Sequence, residues 1–215
     1  MDGDAQARIE ELEAALVRQT NLLREVDHRV KNTLQLISSL MLLQTRRITD
    51  ETARLSLRSM LERVNAVSTV HRQLFQGDEK QQFNVAAFLR DLAGDLALAN
   101  GRADVEIRLD LQPAVIPAAA AAPFALVASE LISNALKHAF PDRPGVVEIT
   151  VGEAGGTCEL SIADNGQGMD GAPKGFGLTI VGLLCQQLHA ELEMGPGHPG
   201  VRAVVRTPSA AASGH

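Results

Sequence analysis

The chain has 215 residues, a formal net charge of −6, a pI near 5.5 and neither Trp nor Tyr. An acidic chain with no basic run and no large stacking aromatics is poorly made for nucleic acid, so no nucleic-acid partner is expected. Acidic and polar residues fill the first ten positions, unlike a signal peptide, and the most apolar stretch, 114–128, carries Pro117 and Pro123 and is too short to span a bilayer. The expectation is a cytoplasmic protein with no membrane segment.

Residues 5–47 contain neither Gly nor Pro and read as one long helix. Ile9, Leu16, Leu23, Val30 and Ile37 recur every seven residues, with Leu12, Val26 and Leu40 three positions later, the pattern of a coiled-coil or bundle seam. His28 falls almost opposite that seam, with Arg24, Glu25, Lys31 and Asn32 one turn away, and so should be solvated. Thr49 and Asp50 offer a cap for a second helix to about Phe75, striped by Leu57, Leu61, Val64 and Val67. A hairpin of two such helices cannot bury both stripes alone, and a dimer closing a four-helix bundle would. A scaffold that only dimerises would carry the same heptads.

Gly77-Asp78-Glu79-Lys80 breaks the pattern, giving a helical hairpin at 1–76, a linker at 77–82, a mixed domain at 83–208 and a frayed tail at 209–215. Asn84 should cap a helix over 84–100, and Val105, Ile107, Leu109 and Leu111 alternate as a strand. A helix follows from Ala119 to Phe140, stopped by Pro141. Val146–Val151 and Cys158–Ala163 flank Gly155-Gly156 as a hairpin. A glycine-rich segment precedes a helix from Phe176 to His189, and Leu192–Met194 with Val201–Val205 make a second hairpin. Three helices and about five strands that do not strictly alternate predict an α+β chain, its sheet covered on one face by helices. Cys158 and Cys185 have no ligand-like spacing and read as buried, reduced thiols.

Three places in this second part carry chemistry. Glu130, Asn134 and Lys137 share one helical face, where a carboxylate, an amide oxygen and an ammonium would suit hydrated Mg2+ with phosphate beside it; an ordinary solvated face is the alternative. Asp164-Asn165-Gly166-Gln167-Gly168 ends a strand, where the carboxylate can accept from an adenine amino group while glycines let backbone amides approach a ligand; a plain turn would look alike. Gly175-Phe176-Gly177-Leu178 opens a helix, whose free amides and positive dipole end favour phosphate. Gly166, Gly168 and Gly171 also spell G-x-G-x-x-G, but Pro173, Gly175 and Gly177 break any helix there, and too little chain follows for a parallel dinucleotide fold.

Residues 25–44, EVDHRVKNTLQLISSLMLLQ, resemble the phosphoacceptor helix of two-component sensor histidine kinases, in the HWE-related subclass with an H-R-x-x-N core. ELISNALKHAF at 130–140 is similar to that family's N box, ADNGQGM at 163–169 to its adenine-binding glycine box, and GFGLTIV at 175–181 to its second glycine box. The resemblance implies a dimeric four-helix bundle followed by an α/β sandwich ATP-binding domain of the GHKL type. It implies that His28 is phosphorylated from ATP and passes the phosphoryl group to an aspartate of a response regulator receiver domain.

By the same resemblance, Asn134 holds Mg2+, Lys137 meets phosphate and Glu130 holds a metal-bound water or assists the proton. Asp164, Gly166, Gly168, Gly175, Gly177 and Leu178 form the nucleotide site. Asn32 matches the position that orients a water in kinases that also dephosphorylate their partner. Asp27 or Glu25 is available to orient the imidazole, and His71 and His138 are expected to be structural. Two features depart from the family: MDGAPK at 169–174 is shorter than the usual lid over ATP, and the Trp motif of HWE kinases proper is absent. The short lid keeps open an alternative, a histidine phosphotransferase or response-regulator phosphatase with a reduced ATP domain. With no sensory domain in the sequence, the signal is expected from a separate sensor protein, or from a longer chain of which this is a piece.

Overall fold

A computed structural model describes residues 2–76, 82–169, 175–197 and 199–210. The first helix, α1, spans Asp2–Arg47, and α2 spans Glu51–Gln76. Asp50 turns the chain between them, its Oδ2 accepting from the Ala53 amide at 2.6 Å and satisfying one of the orphan donors of the α2 terminus. At 1.5 Å per residue α1 is about 70 Å long and α2 about 40 Å, so roughly the first 30 Å of α1 runs on past the end of α2. The linker expected at 77–82 lies outside the described residues except for Gln82, which opens β1 (Gln82–Asn84).

The heptad seam is not the surface that joins α1 to α2. Leu23, Val26, Ile37 and Leu40 stay 45%, 53%, 39% and 51% exposed, and Ile9, Leu12 and Leu16 are exposed as well. The stripe of α1 that loses solvent instead is Leu34, Ser38, Met41 and Thr45, and Ser38 Oγ lies 3.1 Å from Asn65 Oδ1 on α2. The helix thus has two working faces, and only the more apolar one is visible as a heptad. The α2 helix has a second face too: Ala66 and Val70 are buried in the apolar core of the second part of the chain.

That core lies between helices and one face of a sheet. Asn84 caps α3 (Val85–Asn100), its Oδ1 accepting from the Ala87 amide at 2.9 Å. Then come β2 (Val105–Leu111), β3 (Val115–Pro117), a single 3-10 turn, and α4 (Ala121–His138). The hairpin of β4 (Gly145–Ala154) and β5 (Thr157–Asp164) follows, then α5 (Phe176–Gln187), β6 (Glu191–Pro196) and β7 (Val201–Pro208). The five-stranded sheet has the order β2-β4-β5-β7-β6, with β2 parallel to β4 and every other pair antiparallel. Both hairpins read from the sequence are present. The parallel β2–β4 pair, joined by the α4 crossover, and the small β1–β3 ladder are additions to that reading.

Phe83, Phe88, Phe124 and Phe140 are fully buried against Val147, Ile149 and Leu160 of the sheet. Removing such side chains from water stabilises the fold by about 2 kcal/mol each. With its 3-10 lead-in, α4 is long and apolar enough to cross a membrane, further than the 114–128 stretch suggests, but 72% of that segment is buried inside the fold, as in a core helix. Cys158 and Cys185 are buried and unpaired, and burial pushes the Cys158 thiol up to about 12 and the Cys185 thiol up as well.

Candidate functional site

His28 projects from α1 into solvent, and Asn32, one turn on, is exposed on the same side. The two carboxylates offered by the sequence to orient the imidazole are turned elsewhere. Glu25 accepts from Arg29 at 2.6 Å, four residues along, and Asp27 lies half-buried with its Oδ1 3.4 Å from His71 Nδ1 on α2. A neighbour in sequence points about 100° away around a helix, so Asp27 faces α2 while His28 faces water. His71 stacks on Phe75 with ring centroids 4.5 Å apart, a packing role.

In the second part, the helix period brings Glu130, Asn134 and Lys137 to one side of α4, whose other faces are buried. Glu130 is 8% exposed and sits against the start of α5: a Cβ at Gly177 would come within 1.8 Å of Glu130 Oε1. Only a residue without a side chain lets the glycine turn and the carboxylate approach this closely. Leu178 is half-buried against the core, and Gly175 precedes α5 with its carbonyl accepting from the Thr179 amide at 3.2 Å.

Asp164 ends β5 at 8% exposure, its Oδ1 accepting from the backbone amides of Gly166 at 2.9 Å and Val201 at 3.3 Å. These two donors fix the carboxylate, while among the described residues Oδ2 takes part in no hydrogen bond and can accept from a ligand's amino group. Gly166 lies against Ala139 at the end of α4, where a Cβ would fall 2.3 Å from the Ala139 carbonyl. The Gln167 amide donates to that same carbonyl, and Arg143 donates to the Asn165 carbonyl, so the loop is tied to both α4 and the segment after it. Gly168 follows with φ +81. The short lid at 169–174 lies outside the described residues except for Met169.

Three contributors are not marked by the sequence. Gly200 backs Asp164: a Cβ there would lie 1.9 Å from the Asp164 carbonyl and 2.5 Å from its Oδ1. Because β7 pairs with β5, the turn before β7 is delivered to the end of β5, a non-local neighbour that two separate hairpins do not reveal. Glu62 and Arg63 of α2 are the others. Arg63 donates from Nε and Nη2 to Glu130 Oε2 at 3.0 and 2.9 Å, and its cation lies 5.8 Å from the centre of the Phe176 ring. Glu62 Oε2 accepts from Ser133 Oγ at 2.6 Å and Lys137 Nζ at 2.7 Å.

A solvated histidine on a helical hairpin, followed by a sandwich whose glycine turns gather around a fixed carboxylate and a polar helix face, is the layout of a two-part histidine kinase core. Residues 25–100 match a family model described as histidine kinase, and residues 102–198 one described as histidine kinase-like ATPase domain. The chain belongs to the histidine kinase family.

It is 32% identical over 170 residues to the sensor histidine kinase PdtaS of Mycolicibacterium smegmatis, an overlap of 76% of this chain and 33% of that protein. It is 30% identical over 189 residues to blue-light-activated histidine kinase 2 of Erythrobacter litoralis, covering 83% of this chain and 54% of the relative. The chain therefore spans between a third and about half of these relatives. The solved histidine kinase domain of a blue-light-activated kinase from Erythrobacter litoralis superposes with a TM-score of 0.65 at 24% identity, over 81% of this chain and 95% of that one. The fold is that of the GHKL-type histidine kinases.

Proposed function

We propose that the chain is an ATP-dependent protein histidine kinase whose phosphoacceptor is His28 and whose phosphoryl group passes to an aspartate of a response regulator receiver domain. The observation that carries this reading is the pairing of an exposed His28 with a second domain in which Asp164 is held by two backbone amides beside the α4 polar face. Asp164 would accept from the adenine amino group, and the amides at the start of α5 would meet phosphate. An imidazole nitrogen of His28 attacks the γ-phosphorus, the bond from phosphorus to the β,γ-bridging oxygen breaks, ADP leaves and the imidazole loses its N–H proton. Phosphoryl transfer depends on positioning and charge neutralisation, which assigns Lys137 to the phosphates and Glu130 to a water or the proton.

The donor set fits Mg2+ in company with phosphate. Asn134 and Glu130 offer two oxygen donors one turn apart on α4, and Mg2+ commonly completes its octahedron with waters and substrate phosphates. Asn134 would hold the ion, which would neutralise phosphate charge. The exposed heptad seam supports a homodimer. A reaction that uses ATP and a receiver domain would run in the cytoplasm, and the length of α1 beyond α2 suits input from a separate sensor protein.

Incubating the purified chain with γ-labelled ATP and Mg2+ tests the reading: wild type takes up label and His28→Ala does not. The short 169–174 segment favours a second reading, a phosphotransferase or regulator phosphatase with a reduced ATP domain. No label from ATP, with label accepted from a phosphorylated regulator, would establish that one instead.

A further inference from the structure

Glu62 and Arg63 are neighbours on α2, and together they engage both ends of the α4 polar face. Arg63 takes Glu130 and covers Phe176 at the start of α5; Glu62 takes Lys137 and Ser133. The side chains of Arg63 and Glu130 are largely withdrawn from water, at 19% and 9% exposure, and those of Glu62 and Lys137 partly so, at 19% and 32%. Pairs this sheltered are screened less than surface ones. The two titratable groups that the proposed function gives to metal-bound water and to phosphate are thus both neutralised by α2.

The register of the hairpin adds a second constraint. Ser38 meets Asn65, and Asp27 meets His71, which places His28 level with roughly residues 70–75 of α2. Glu62 and Arg63 therefore sit about ten residues, about 15 Å, further along the bundle than His28. Reacting atoms must come within about 3.5 Å for in-line attack. The α4 polar face, held at Glu62 and Arg63, is thereby held about 15 Å along the bundle from the level of the phosphoacceptor, while the core of the second part also takes in Ala66 and Val70 of α2 closer to that level.

We propose that Glu62 and Arg63 form an inhibitory latch: they occupy the nucleotide-binding face of α4, and binding of Mg2+ with ATP requires their release. The inference rests on the ATP-binding reading above. A triphosphate competes with Glu62 for Lys137 and repels its carboxylate, and a metal-bound water competes with Arg63 for Glu130. By linkage, whatever opens the latch strengthens nucleotide binding, and nucleotide frees α2 by the same factor.

The test is calorimetric titration of the full chain with Mg2+ and the β,γ-imido analogue of ATP, using wild type, Glu62→Gln, Arg63→Gln and the double variant. The latch predicts that each single variant binds more tightly and that the double variant gains about tenfold, within the usual range of coupling between sites. Binding by the double variant alone, with none by wild type, supports it as well. Equal affinity across the series overturns the latch and leaves the ATP site standing. Weaker binding by Arg63→Gln also overturns it, because Arg63 is then a phosphate ligand. Absence of binding in every protein overturns the ATP-binding reading and the latch with it. Glu62→Gln keeps the side-chain shape at a partly exposed position, so its result decides the matter if circular dichroism shows that Arg63→Gln has lost its fold.

Discussion

Asp164 illustrates how much of the proposed site depends on single atoms. Its Oδ1 is saturated by two amides and its backbone is packed against Gly200, so the carboxylate has little freedom to turn. Replacing it with Asn puts a donor among donors. Asp164→Asn is expected to weaken binding of the ATP analogue by about tenfold or more, with the oligomeric state unchanged, because the Asn oxygen can keep the two backbone amides only by turning its NH2 toward the ligand's amino group. Unchanged affinity in the titration contradicts the assignment.

Asn32 makes a different demand. It shares the exposed side of α1 with His28, and its proposed role is to orient a water toward a phosphoaspartate without touching the attack on ATP. Asn32→Ala should keep His28 phosphorylation within about tenfold while slowing dephosphorylation of the regulator by more. A parallel fall in both rates would show that Asn32 supports the helix or the docking surface. The cysteines should be silent. With burial holding the Cys158 thiol at about 12 and raising that of Cys185, both stay protonated near pH 8. A maleimide probe at that pH should label the folded chain at neither position and the urea-unfolded chain at both. The folded pKa of Cys158 exceeds the unfolded value of about 9, so its contribution to stability is complete below pH 9 and fades as pH rises toward 12.

Among the elements, α1 and α2 show where sequence patterns stop. A heptad registers only the most apolar stripe of a helix, and on α1 that stripe, Leu23, Val26, Ile37 and Leu40, is left in water by the single chain. The stripe that joins α1 to α2 contains Ser38 and Thr45 and carries no comparable signal. Likewise Ala66 and Val70 of α2, small and off its main stripe, enter the core of the second part. The strands that alternate cleanly, β2, β4 and β5, were legible, as were the Asn84 cap and both hairpins, since each is written in local spacing. The β5–β7 pairing, the reach of Gly200 to Asp164 and the approach of Arg63 to Glu130 join residues far apart in sequence, and no local pattern encodes them.

The exposed stripe has its own consequence. Leu23→Glu with Ile37→Glu should convert a dimer into a monomer by light scattering at micromolar concentration, while α1 and α2 remain helical by circular dichroism. A wild-type chain that is already monomeric would remove the four-helix bundle from the account.

At the scale of the whole molecule, the fold separates the proposed acceptor from the proposed donor site. His28 stands on a helix in solvent, and the α4 face proposed to hold phosphate and Mg2+ meets the hairpin at Glu62 and Arg63, about 15 Å along the bundle from the histidine. Such an arrangement brings donor to acceptor either by moving one part against the other or by reaching across a dimer, and in both cases the site of phosphorylation is the most direct report on the account. The decisive measurement is peptide mapping by mass spectrometry of the full chain after incubation with Mg2+ and ATP, kept at alkaline pH to preserve phosphoramidate linkages. One phosphoryl group on the peptide that holds His28, reduced in Asp164→Asn and absent from His28→Ala, is the predicted result. A phosphoryl group on His71 or on His138, or on no residue in both wild type and the Glu62→Gln, Arg63→Gln double variant, would contradict it.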